Sequence, residues 1–319
     1  MLHMQKAPLF EDIAKGPERG QAYWLTASDG VRIRVGHWPA TGTENKGSIL
    51  LFPGRTEYVE KYGLIASELT VQGYDVLAID WRGQGLADRS DPERDLGHVG
   101  TFSEYQMDVQ AMLGQAELLE LPRPWYLIGH SMGGCIGLRA LQEGLPVDGA
   151  IFSAPMWGIV MSAAMRPVAW GLSWALHKSR FKMMLTPGTT RETYLSLAPF
   201  EDNLLTTDLE MFDYMRDQAS VHPELTLGGP TTGWLYAALI ETRALMALPP
   251  PPVKTVTFLG TQERIVMSEP IIAYMENWEQ GHLVMVDGAE HEIMMEAAPI
   301  RQQVYDALAQ LSEKQEEPA

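Results

Sequence analysis

The chain has 319 residues, of which 45% are hydrophobic and 20% charged, and these ordinary globular proportions exclude extended disorder and collagen-like repetition. Asp and Glu number 41 against 24 Lys and Arg, a formal charge of −17 that would repel nucleic-acid phosphates, so we expect no nucleic-acid partner. The single cysteine, Cys135, allows no internal disulfide, and the N-terminus lacks the apolar run of a secretory signal, which together favour a cytoplasmic location. The longest apolar stretch, Gly158 to Leu176, carries Arg166 and Pro167 mid-span, so we expect no transmembrane segment.

Strand-like and helix-like segments alternate along most of the chain. Apolar and aromatic residues on both sides of Asp29-Gly30 predict a hairpin over 22–38, and the T-x-x-E pattern from Thr101 to Glu104 is a capping box that begins a helix. Further strands are predicted at 48–52, 74–79, 125–128, 150–153, 253–259 and 282–286, and helices at 57–71, 101–121, after Gly134, at 234–247, at 268–278 and at 300–311. Because the strands are nearly continuously apolar and helices separate them, we predict the α/β class, with a mostly parallel sheet covered on both faces.

The alternation stops between about Trp157 and Gly233, where no strand-like run occurs. This region contains two helical stretches rich in methionine, and a glycine-rich loop closes it: Met161, Met165, Met183, Met184 and 228–233. We therefore predict an α/β core with an inserted helical cap. The predicted boundaries are 20–156 and 234–312 for the core, 157–233 for the cap, and 1–19 and 313–319 for terminal extensions, the last glutamate-rich and frayed.

The pentapeptide Gly129-His-Ser-Met-Gly133 has the form G-x-S-x-G and stands between a predicted strand and a predicted helix. A turn this tight leaves no room for large side chains two residues before and after the serine, and it lifts the hydroxyl of Ser131 above the sheet edge. The helix N-terminus offers main-chain N–H groups there. We interpret Ser131 as a nucleophile, and the alternative is a glycine-rich turn whose serine only caps the helix.

A serine hydroxyl is a poor nucleophile at neutral pH and needs a base to accept its proton. Of the eight histidines, His291 lies on a short loop after the last predicted core strand, where the base of an α/β hydrolase is expected. His130 lies inside the serine turn, and we interpret it as structural. His98 either reaches the cleft or braces its loop, and we favour bracing.

The third member of such a site orients the imidazole and stabilises its cation. The loop after the strand ending at Leu259 contains one carboxylate, Glu263, and the alternative for that side chain is an exposed pair with Arg264. Other carboxylates are sequence neighbours of His291 and badly placed to approach its ring: Asp287, Glu290 and Glu292. The order serine, acid, histidine is that of α/β hydrolases.

An oxyanion formed during attack needs two preorganised N–H donors. We expect one from the main chain of Met132, directly after the serine. The second is assigned to the main chain of Arg55, because Gly54 allows the backbone of that loop to approach closely. The alternative is an ordinary strand-to-helix turn.

Four motifs occur in order and together carry a family resemblance: Phe-Pro-Gly-Arg-Thr-Glu-Tyr from Phe52, Asp80-x-Arg-Gly-x-Gly85, Gly-His-Ser-Met-Gly-Gly from Gly129 and Gly-Ala-Glu-His-Glu-Ile-Met-Met-Glu from Gly288. The chain resembles the lysophospholipase L2 and monoacylglycerol lipase-like family of α/β hydrolases, often labelled serine aminopeptidase, S33-type. The resemblance implies a serine–acid–histidine triad, here Ser131, Glu263 and His291, under a helical cap. The chain departs from the usual family residues at Pro53 (usually His), at Arg55 (usually small or apolar) and at Glu263 (usually Asp).

An apolar acyl pocket under the cap is attractive because stretch 157–185 is rich in Met, Trp and Ala, and flexible thioethers tolerate varied acyl shapes. The alternative is that these side chains only pack the cap onto the core. We assign Gly54, Met156, Trp157 and Met161 to substrate binding. The negative charge favours neutral or zwitterionic esters such as monoacylglycerols or lysolipids as substrates. A separate expectation is peripheral membrane contact through the cap.

The favoured function is hydrolysis of carboxylic esters through an acyl-enzyme. A peptidase that removes N-terminal residues is the alternative, because the cap contains carboxylates able to hold an amine: Glu192, Glu201, Asp202, Asp208 and Glu210. A non-catalytic binding protein on a hydrolase scaffold is less favoured, because all triad members are present. We expect no metal or other cofactor, since neither a metal-ligand spacing nor a nucleotide-binding loop occurs; acyl length, head group and oligomeric state stay open.

Overall fold

A single sheet of nine strands organises the chain, in the order β1-β2-β3-β5-β4-β6-β7-β8-β9. The computed structural model describes residues 4–42, 44–89, 94–161, 171, 174 and 180–313. The strands are β1 Gln5–Ala7, β2 Gln21–Thr26, β3 Arg32–Trp38, β4 Gly47–Phe52, β5 Tyr74–Asp80, β6 Trp125–His130, β7 Gly149–Ser153, β8 Thr255–Gly260 and β9 Gly281–Val286.

Helices connect most of these strands. Those of the described residues are α1 Glu11–Ala14, α2 Gly63–Val71, α3 Ser103–Leu118, α4 Met132–Gln142, α5 Tyr194–Leu197, α6 Leu209–Val221, α7 Thr232–Leu245, α8 Ser268–Glu276 and α9 Ala298–Ser312, with 3₁₀ turns at Val59–Tyr62, Arg180–Met183, Pro223–Leu225 and Ile293–Met295. Among them no helix combines the length and the apolar character needed to span a bilayer.

The sheet is parallel over most of its width, as the sequence predicts. All neighbouring pairs from β5 across to β9 run parallel, whereas β1, β2 and β3 add an antiparallel edge. The predicted hairpin is confirmed, with Gln21 opposite His37 and Thr26 opposite Arg32. The α/β prediction is therefore correct.

Side chains of the central strands alternate between two cores, one on each face of the sheet. In β4, Leu50 and Phe52 join one buried cluster, while Ile49 and Leu51 join the other. Because helices cover both faces, each strand is buried along its whole length, which explains its nearly continuous apolar sequence.

The sheet extends further toward the N-terminus than the sequence indicated. Strand β1 pairs with β2, Gln5 lying opposite Trp24, and the carbonyl of Ala14 accepts a hydrogen bond from the Tyr214 hydroxyl at 2.8 Å. The sequence analysis predicts residues 1–19 as a terminal extension, and β1, with the sequence Gln-Lys-Ala, has no apolar alternation that would indicate a strand. Its pairing is directed by the partner strand rather than by its own pattern.

The predicted capping box forms only in part. Helix α3 begins at Ser103, and Glu104 Oε1 accepts the Thr101 N–H at 3.0 Å. The Thr101 hydroxyl lies 2.7 Å from Ser103 Oγ, and no side-chain bond caps the helix. The predicted helix over 57–71 likewise begins as a 3₁₀ turn at Val59 before α2.

Between β7 and α7 the described residues contain helices α5 and α6, 3₁₀ turns and isolated bridges but no strand. Met165 and most of the first methionine-rich stretch lie outside the described residues, as does the tail from residue 314. The boundaries of core and cap stay predictions.

Candidate active site

Ser131 occupies a strained turn between β6, which ends at His130, and α4, which begins at Met132. Its φ of 49° with ψ of −116° is a conformation that residues other than glycine rarely adopt. Its N–H donates to the Ser153 carbonyl at 3.0 Å and its own carbonyl accepts the Gly134 N–H at 2.9 Å. Hydrogen bonds to the neighbouring strand and helix therefore hold the serine in this conformation.

Glycines on the α4 side of the turn allow its close packing. An added Cβ at Gly133 would lie 1.9 Å from the carbonyl oxygen of Phe52, and one at Gly134 would lie 2.6 Å from the Pro155 Cβ. Such distances are far inside van der Waals contact, so both positions need glycine. The backbone of β4 thus packs directly against the serine turn.

His291 and Glu263 form a buried pair on the loops after β9 and β8. The His291 Nδ1 lies 2.7 Å from Glu263 Oε2, and the two side chains are 3% and 1% exposed. The other carboxylate oxygen accepts the N–H groups of Ile265 at 2.6 Å and Val266 at 2.9 Å. Glu263 therefore contacts His291 with one oxygen and its own loop with the other.

These contacts keep Glu263 ionised. Burial alone would raise the pKa of its carboxyl, but the His291 ring and the two main-chain N–H groups outweigh burial and lower that pKa below its usual range. Arg264 pairs instead with Asp202 and Glu290, each at 2.7 Å. The alternative of an exposed Glu263–Arg264 pair is therefore not what the structure shows.

Ser131 and His291 line one cavity of about 290 Å³. Besides the histidines, the charged residues at its walls are Arg55, Glu57, Lys61 and Glu292. Its apolar walls come mainly from the predicted cap, with one residue from the Glu263 loop: Leu195, Leu204, Leu205, Met215 and Ile265. The site therefore joins a polar reactive end to an apolar chamber.

In the loop after β4, the main-chain N–H of Arg55 stands between two N–H groups that are hydrogen-bonded to side chains. The Gly54 N–H donates to the Glu57 carboxylate and the Thr56 N–H donates to Gln84 Oε1 at 3.2 Å. Among the hydrogen bonds of the described residues, none comes from the main-chain N–H of Arg55, which lies between them. Met132 is the first residue of α4, so its N–H has no carbonyl one turn earlier.

Four ionisable residues pack against one another at the wall of this cavity: Glu57, Lys61, His130 and Glu292. We call them the buried ionic cluster, because each is at most 7% exposed. The Lys61 ammonium lies 2.5 Å from Glu57 and 2.7 Å from Glu292, while His130 Nε2 lies 3.3 Å from Glu292. The His130 ring centroid is 4.8 Å from that of His291.

Charge pairing outweighs burial within the cluster. Burial would lower the pKa of Lys61, but Glu292 and Glu57 raise it; burial would raise the pKa of Glu292, but Lys61 and His130 hold it well below its usual range. Two carboxylates and His130 approach one another closely enough to suggest metal ligands. The Lys61 ammonium already binds both carboxylates, so the cluster does not fit a cation.

Several residues assigned to substrate binding lie elsewhere. Met156 and Trp157 are not among the residues that line the cavity; they belong to the core, where the Trp157 indole N–H donates to the Gly134 carbonyl at 3.3 Å. Met161 is half-buried and also lies outside the cavity lining. Gly54 packs against the nucleophile, since an added Cβ would lie 3.1 Å from the Ser131 Cβ.

The two other histidines considered in the sequence have structural contacts. His98 Nδ1 lies 2.9 Å from Thr231 Oγ1, which joins its loop to the start of α7. His130 is buried within the ionic cluster. The sequence analysis missed Glu57, Lys61 and the role of Glu292; the i,i+4 spacing of Glu57 and Lys61 was visible, but it usually indicates a surface helix pair.

A mostly parallel sheet, a serine on a strained strand-to-helix turn, and an acid and a histidine on later loops define an α/β hydrolase. The family model described as serine aminopeptidase, S33 matches residues 43–298. The chain belongs to that family.

Relatives and solved structures agree with this assignment. Lysophospholipase L2 of Escherichia coli strain K12 is 30% identical over 283 residues, covering 85% of this chain and 82% of that protein. The probable lysophospholipase L2 of Haemophilus influenzae is 23% identical over 289 residues, covering 90% of each. A soluble variant of the Saccharomyces cerevisiae monoglyceride lipase, crystallised with a substrate analog, shares the fold with a TM-score of 0.69 at 18% identity, covering 91% of this chain and 94% of that one.

Proposed function

We propose that this chain hydrolyses the ester bond of single-acyl lipids, either lysophospholipids or monoacylglycerols, through an acyl-enzyme on Ser131. The chain is a carboxylic ester hydrolase, in keeping with relatives named lysophospholipase L2. The observation that carries the mechanism is the shared cavity of Ser131 and His291, with His291 bound to the buried carboxylate of Glu263.

In the acylation step, the Ser131 Oγ attacks the ester carbonyl carbon while His291 accepts the hydroxyl proton. The Glu263 carboxylate, 2.7 Å from Nδ1, fixes the tautomer that leaves Nε2 free to accept and stabilises the imidazolium that forms. The oxyanion receives the main-chain N–H groups of Arg55 and Met132. Collapse of the tetrahedral intermediate breaks the bond to the alcohol, which leaves with the proton from His291.

Deacylation repeats these roles with water in place of the serine. His291 removes a proton from the water, the resulting hydroxide attacks the acyl carbon, and the fatty acid departs as Ser131 recovers its proton. No cofactor is required for either half of the cycle.

The apolar walls around the reactive end favour a lipid acyl group. Leu204, Leu205 and Ile265 line the same cavity as His291, and an acyl chain there would remove apolar surface from water, which stabilises binding by about 25 cal/mol per Å². A substrate amine has less to bind there, because the Glu57 and Glu292 carboxylates at the cavity wall are already paired with Lys61. Of the cap carboxylates proposed for a peptidase, Asp208 caps α6 through the Met211 N–H at 2.9 Å and none lines the cavity.

We also propose that the predicted cap contacts the lipid surface that supplies the substrate. Val160, Met184 and Leu197 are 48%, 53% and 54% exposed. Val160 donates its N–H to the carbonyl of Ile265 at 3.1 Å, a residue of the cavity wall, and Leu197 lies on the same short helix as Leu195. Val160 and Leu197 are therefore exposed apolar residues adjoining residues of the cavity wall.

The Ser131→Ala variant tests the proposal. We expect turnover of p-nitrophenyl esters to fall to background while the unfolding temperature changes little, because only the hydroxyl is lost. Ser153→Ala is the matched control. It also removes one serine hydroxyl near the site, 3.2 Å from His130 Nδ1, but that hydroxyl has no proposed catalytic role. Unchanged turnover in Ser131→Ala would refute the mechanism, and faster cleavage of aminoacyl nitroanilides than of esters by the wild type would favour the peptidase.

A further inference from the structure

The motif that begins at Asp80 places three side chains against the loop that follows β4. Trp81 donates its indole N–H to the Pro53 carbonyl at 2.9 Å, and Asp80 Oδ1 accepts the Val59 N–H at 2.8 Å. The third side chain is that of Gln84, a residue that is 2% exposed. None of the three is among the residues that line the active-site cavity, so they contact this loop from outside the cavity.

Gln84 binds three peptide groups of the loop, on both sides of Arg55. Its Oε1 accepts the Thr56 N–H at 3.2 Å, and its Nε2 donates to the Gly54 carbonyl at 3.0 Å and to the Glu57 carbonyl at 3.4 Å. The side-chain amide thereby uses both of its N–H groups and its oxygen on main-chain atoms. Because every one of these atoms has a partner on the same loop, the amide matches the loop in shape and in hydrogen bonding.

The bond to the Gly54 carbonyl determines the direction of the Arg55 N–H, because both belong to one peptide group. That peptide group is trans, and in a planar trans peptide the C=O and the N–H point in opposite directions. With the carbonyl held by Gln84, the N–H points away from Gln84, and Arg55 lines the cavity that Gln84 does not. Thr56 has a φ of 69°, which a β-branched residue rarely adopts, and Gln84 Oε1 accepts its N–H. Gln84 therefore fixes both peptide groups that flank the Arg55 α-carbon.

We propose that Gln84 is a positioning residue for catalysis, which directs the Arg55 main-chain N–H at the oxygen of the tetrahedral intermediate. This inference rests on the proposed function and adds the residue that orients one of its proposed oxyanion donors. A preorganised N–H binds the negative oxygen of the transition state more strongly than the neutral carbonyl oxygen of the substrate. Loss of its alignment therefore lowers kcat, whereas KM for the ester changes little.

Gln84→Met tests this role, because methionine has a similar length but lacks the amide. Removing an oxyanion donor outright costs about 10²- to 10³-fold in kcat, so for a misdirected donor we expect kcat for a p-nitrophenyl ester to fall about 10- to 100-fold. KM should stay within about twofold of the wild type. Gln84→Asn keeps an amide on a shorter side chain that cannot reach both sides of Arg55; it should show a smaller loss of the same kind, and it replaces Gln84→Met if that variant does not fold.

The matched control is Gln218→Met. Gln218 is 1% exposed and also donates to two main-chain carbonyls, those of Ile13 at 2.9 Å and Glu60 at 3.2 Å, but neither belongs to the loop that carries Arg55. Its loss should lower the unfolding temperature and leave kcat within about twofold of the wild type. An equal loss of kcat in both variants would overturn the inference, because the loss would then follow from disturbed packing in general.

A pair of alkyl ketones with the same chain length separates transition-state binding from ground-state binding. The carbonyl carbon of a trifluoromethyl ketone forms a bond with Ser131 Oγ, His291 takes the hydroxyl proton, and the carbonyl electron pair becomes an oxyanion; the methyl ketone binds as a free carbonyl. In Gln84→Met, the inhibition constant of the trifluoromethyl ketone should rise by about the factor by which kcat falls, and that of the methyl ketone should change less than about twofold. Equal weakening of both ketones would assign Gln84 to the shape of the cavity and overturn the inference.

The wild type separates a failure of this inference from a failure of the proposed function. If the wild type hydrolyses the ester and prefers the trifluoromethyl ketone, but Gln84→Met is unchanged in both measurements, only the role of Gln84 is overturned. If the wild type neither hydrolyses esters nor prefers the trifluoromethyl ketone to the methyl ketone, the proposed function itself is refuted.

Discussion

Glu263 illustrates how one extra methylene changes the way a carboxylate is held. Its Oε1 accepts the N–H groups of Ile265 and Val266 from its own loop, which leaves Oε2 directed at His291. A side chain anchored at both oxygens has little rotational freedom, so the imidazole it contacts is oriented before substrate arrives. The longer acid is therefore compatible with the same orienting role as the aspartate usual in the family.

Replacing Glu263 by glutamine tests this orienting role. An amide nitrogen facing His291 favours the wrong tautomer, so we expect kcat for a p-nitrophenyl ester to fall about 10³- to 10⁴-fold. Glu290→Gln is the matched control, because Glu290 neighbours His291 but pairs with Arg264 at 2.7 Å, and its effect should stay below tenfold. A small effect of Glu263→Gln together with a large effect of Glu290→Gln would move the acid to Glu290.

At the scale of elements, the buried ionic cluster connects three parts of the site. Glu57 holds the Gly54 N–H of the loop after β4, His130 ends β6, and Glu292 follows the base on the loop after β9. Lys61 joins the two carboxylates. The loops that carry the nucleophile, the base and the proposed oxyanion donors are thus connected through charged groups at the cavity wall.

Lys61→Met tests the importance of that connection for stability. Two buried carboxylates would lose their counter-charge, and breaking a buried ion pair costs about 3–5 kcal/mol in the free energy of unfolding. Urea unfolding should show this loss at pH 8. The matched control is Arg32→Met, whose pair with Asp88 is 48% and 46% exposed; it should cost less than about 1 kcal/mol.

The pH dependence of unfolding gives a second check on Lys61→Met. In the folded wild type, the pKa of Glu292 lies well below its ordinary value of 4.5. The ionised Glu292 therefore contributes its full stabilisation of the folded state above pH 4.5, and this contribution is lost as the pH falls through the folded-state pKa. Without Lys61 the Glu292 carboxylate of the folded variant binds protons more tightly, so the loss of stability relative to wild type should be smaller at pH 5 than at pH 8. A deficit that is equal at pH 5 and pH 8 would contradict this account.

The close packing between α4 and β4 leads to a prediction with opposite signs at two glycines. Gly133→Ala places a Cβ 1.9 Å from the Phe52 carbonyl oxygen, so it should displace the serine turn and lower the unfolding temperature. The expected loss in the free energy of unfolding is about 1–3 kcal/mol or more. Gly114→Ala lies within α3, where an added Cβ meets nothing within 4 Å, and it should raise stability by up to about 1 kcal/mol. Calorimetry on both variants checks the contrast, and tolerance of alanine at position 133 would show that the turn can move.

For the molecule as a whole, the sequence predicts those secondary-structure elements and turns that depend on a local pattern of residues. The hairpin at β2 and β3 and the strand before Ser131 followed from periodicity and turn residues, and both are present. Contacts between distant segments did not follow: nothing near Lys61 in the sequence indicates Glu292, and nothing in the sequence of β1 indicates its pairing with β2. Side chains assigned to the pocket from composition, such as Trp157, fill the core instead, because burial depends on the tertiary arrangement.

The distribution of charge and apolar surface over the whole molecule predicts how it meets lipid. A net charge of −17 disfavours anionic membranes, whereas Val160 and Leu197 expose apolar surface near the cavity, 48% and 54% of each residue. In sedimentation assays we expect the protein to bind phosphatidylcholine vesicles and to bind less when phosphatidylglycerol is added. This decrease should be larger at low salt, because added salt screens the repulsion between the acidic protein and the anionic lipid.

The double variant Val160→Ser, Leu197→Ser tests where this contact occurs. It should lower both vesicle binding and hydrolysis of vesicle-borne substrate several-fold, because two apolar side chains no longer leave water on binding, while turnover of a water-soluble p-nitrophenyl ester stays close to wild type. Val71→Ser is the control, since Val71 is 70% exposed but lies far from the proposed contact. Val71 ends α2 just before β5 begins, whereas Ser131 follows the C-terminal end of the parallel strand β6. If Val71→Ser reduced vesicle binding as much as the double variant, the contact would be a general property of exposed apolar groups rather than of the cap.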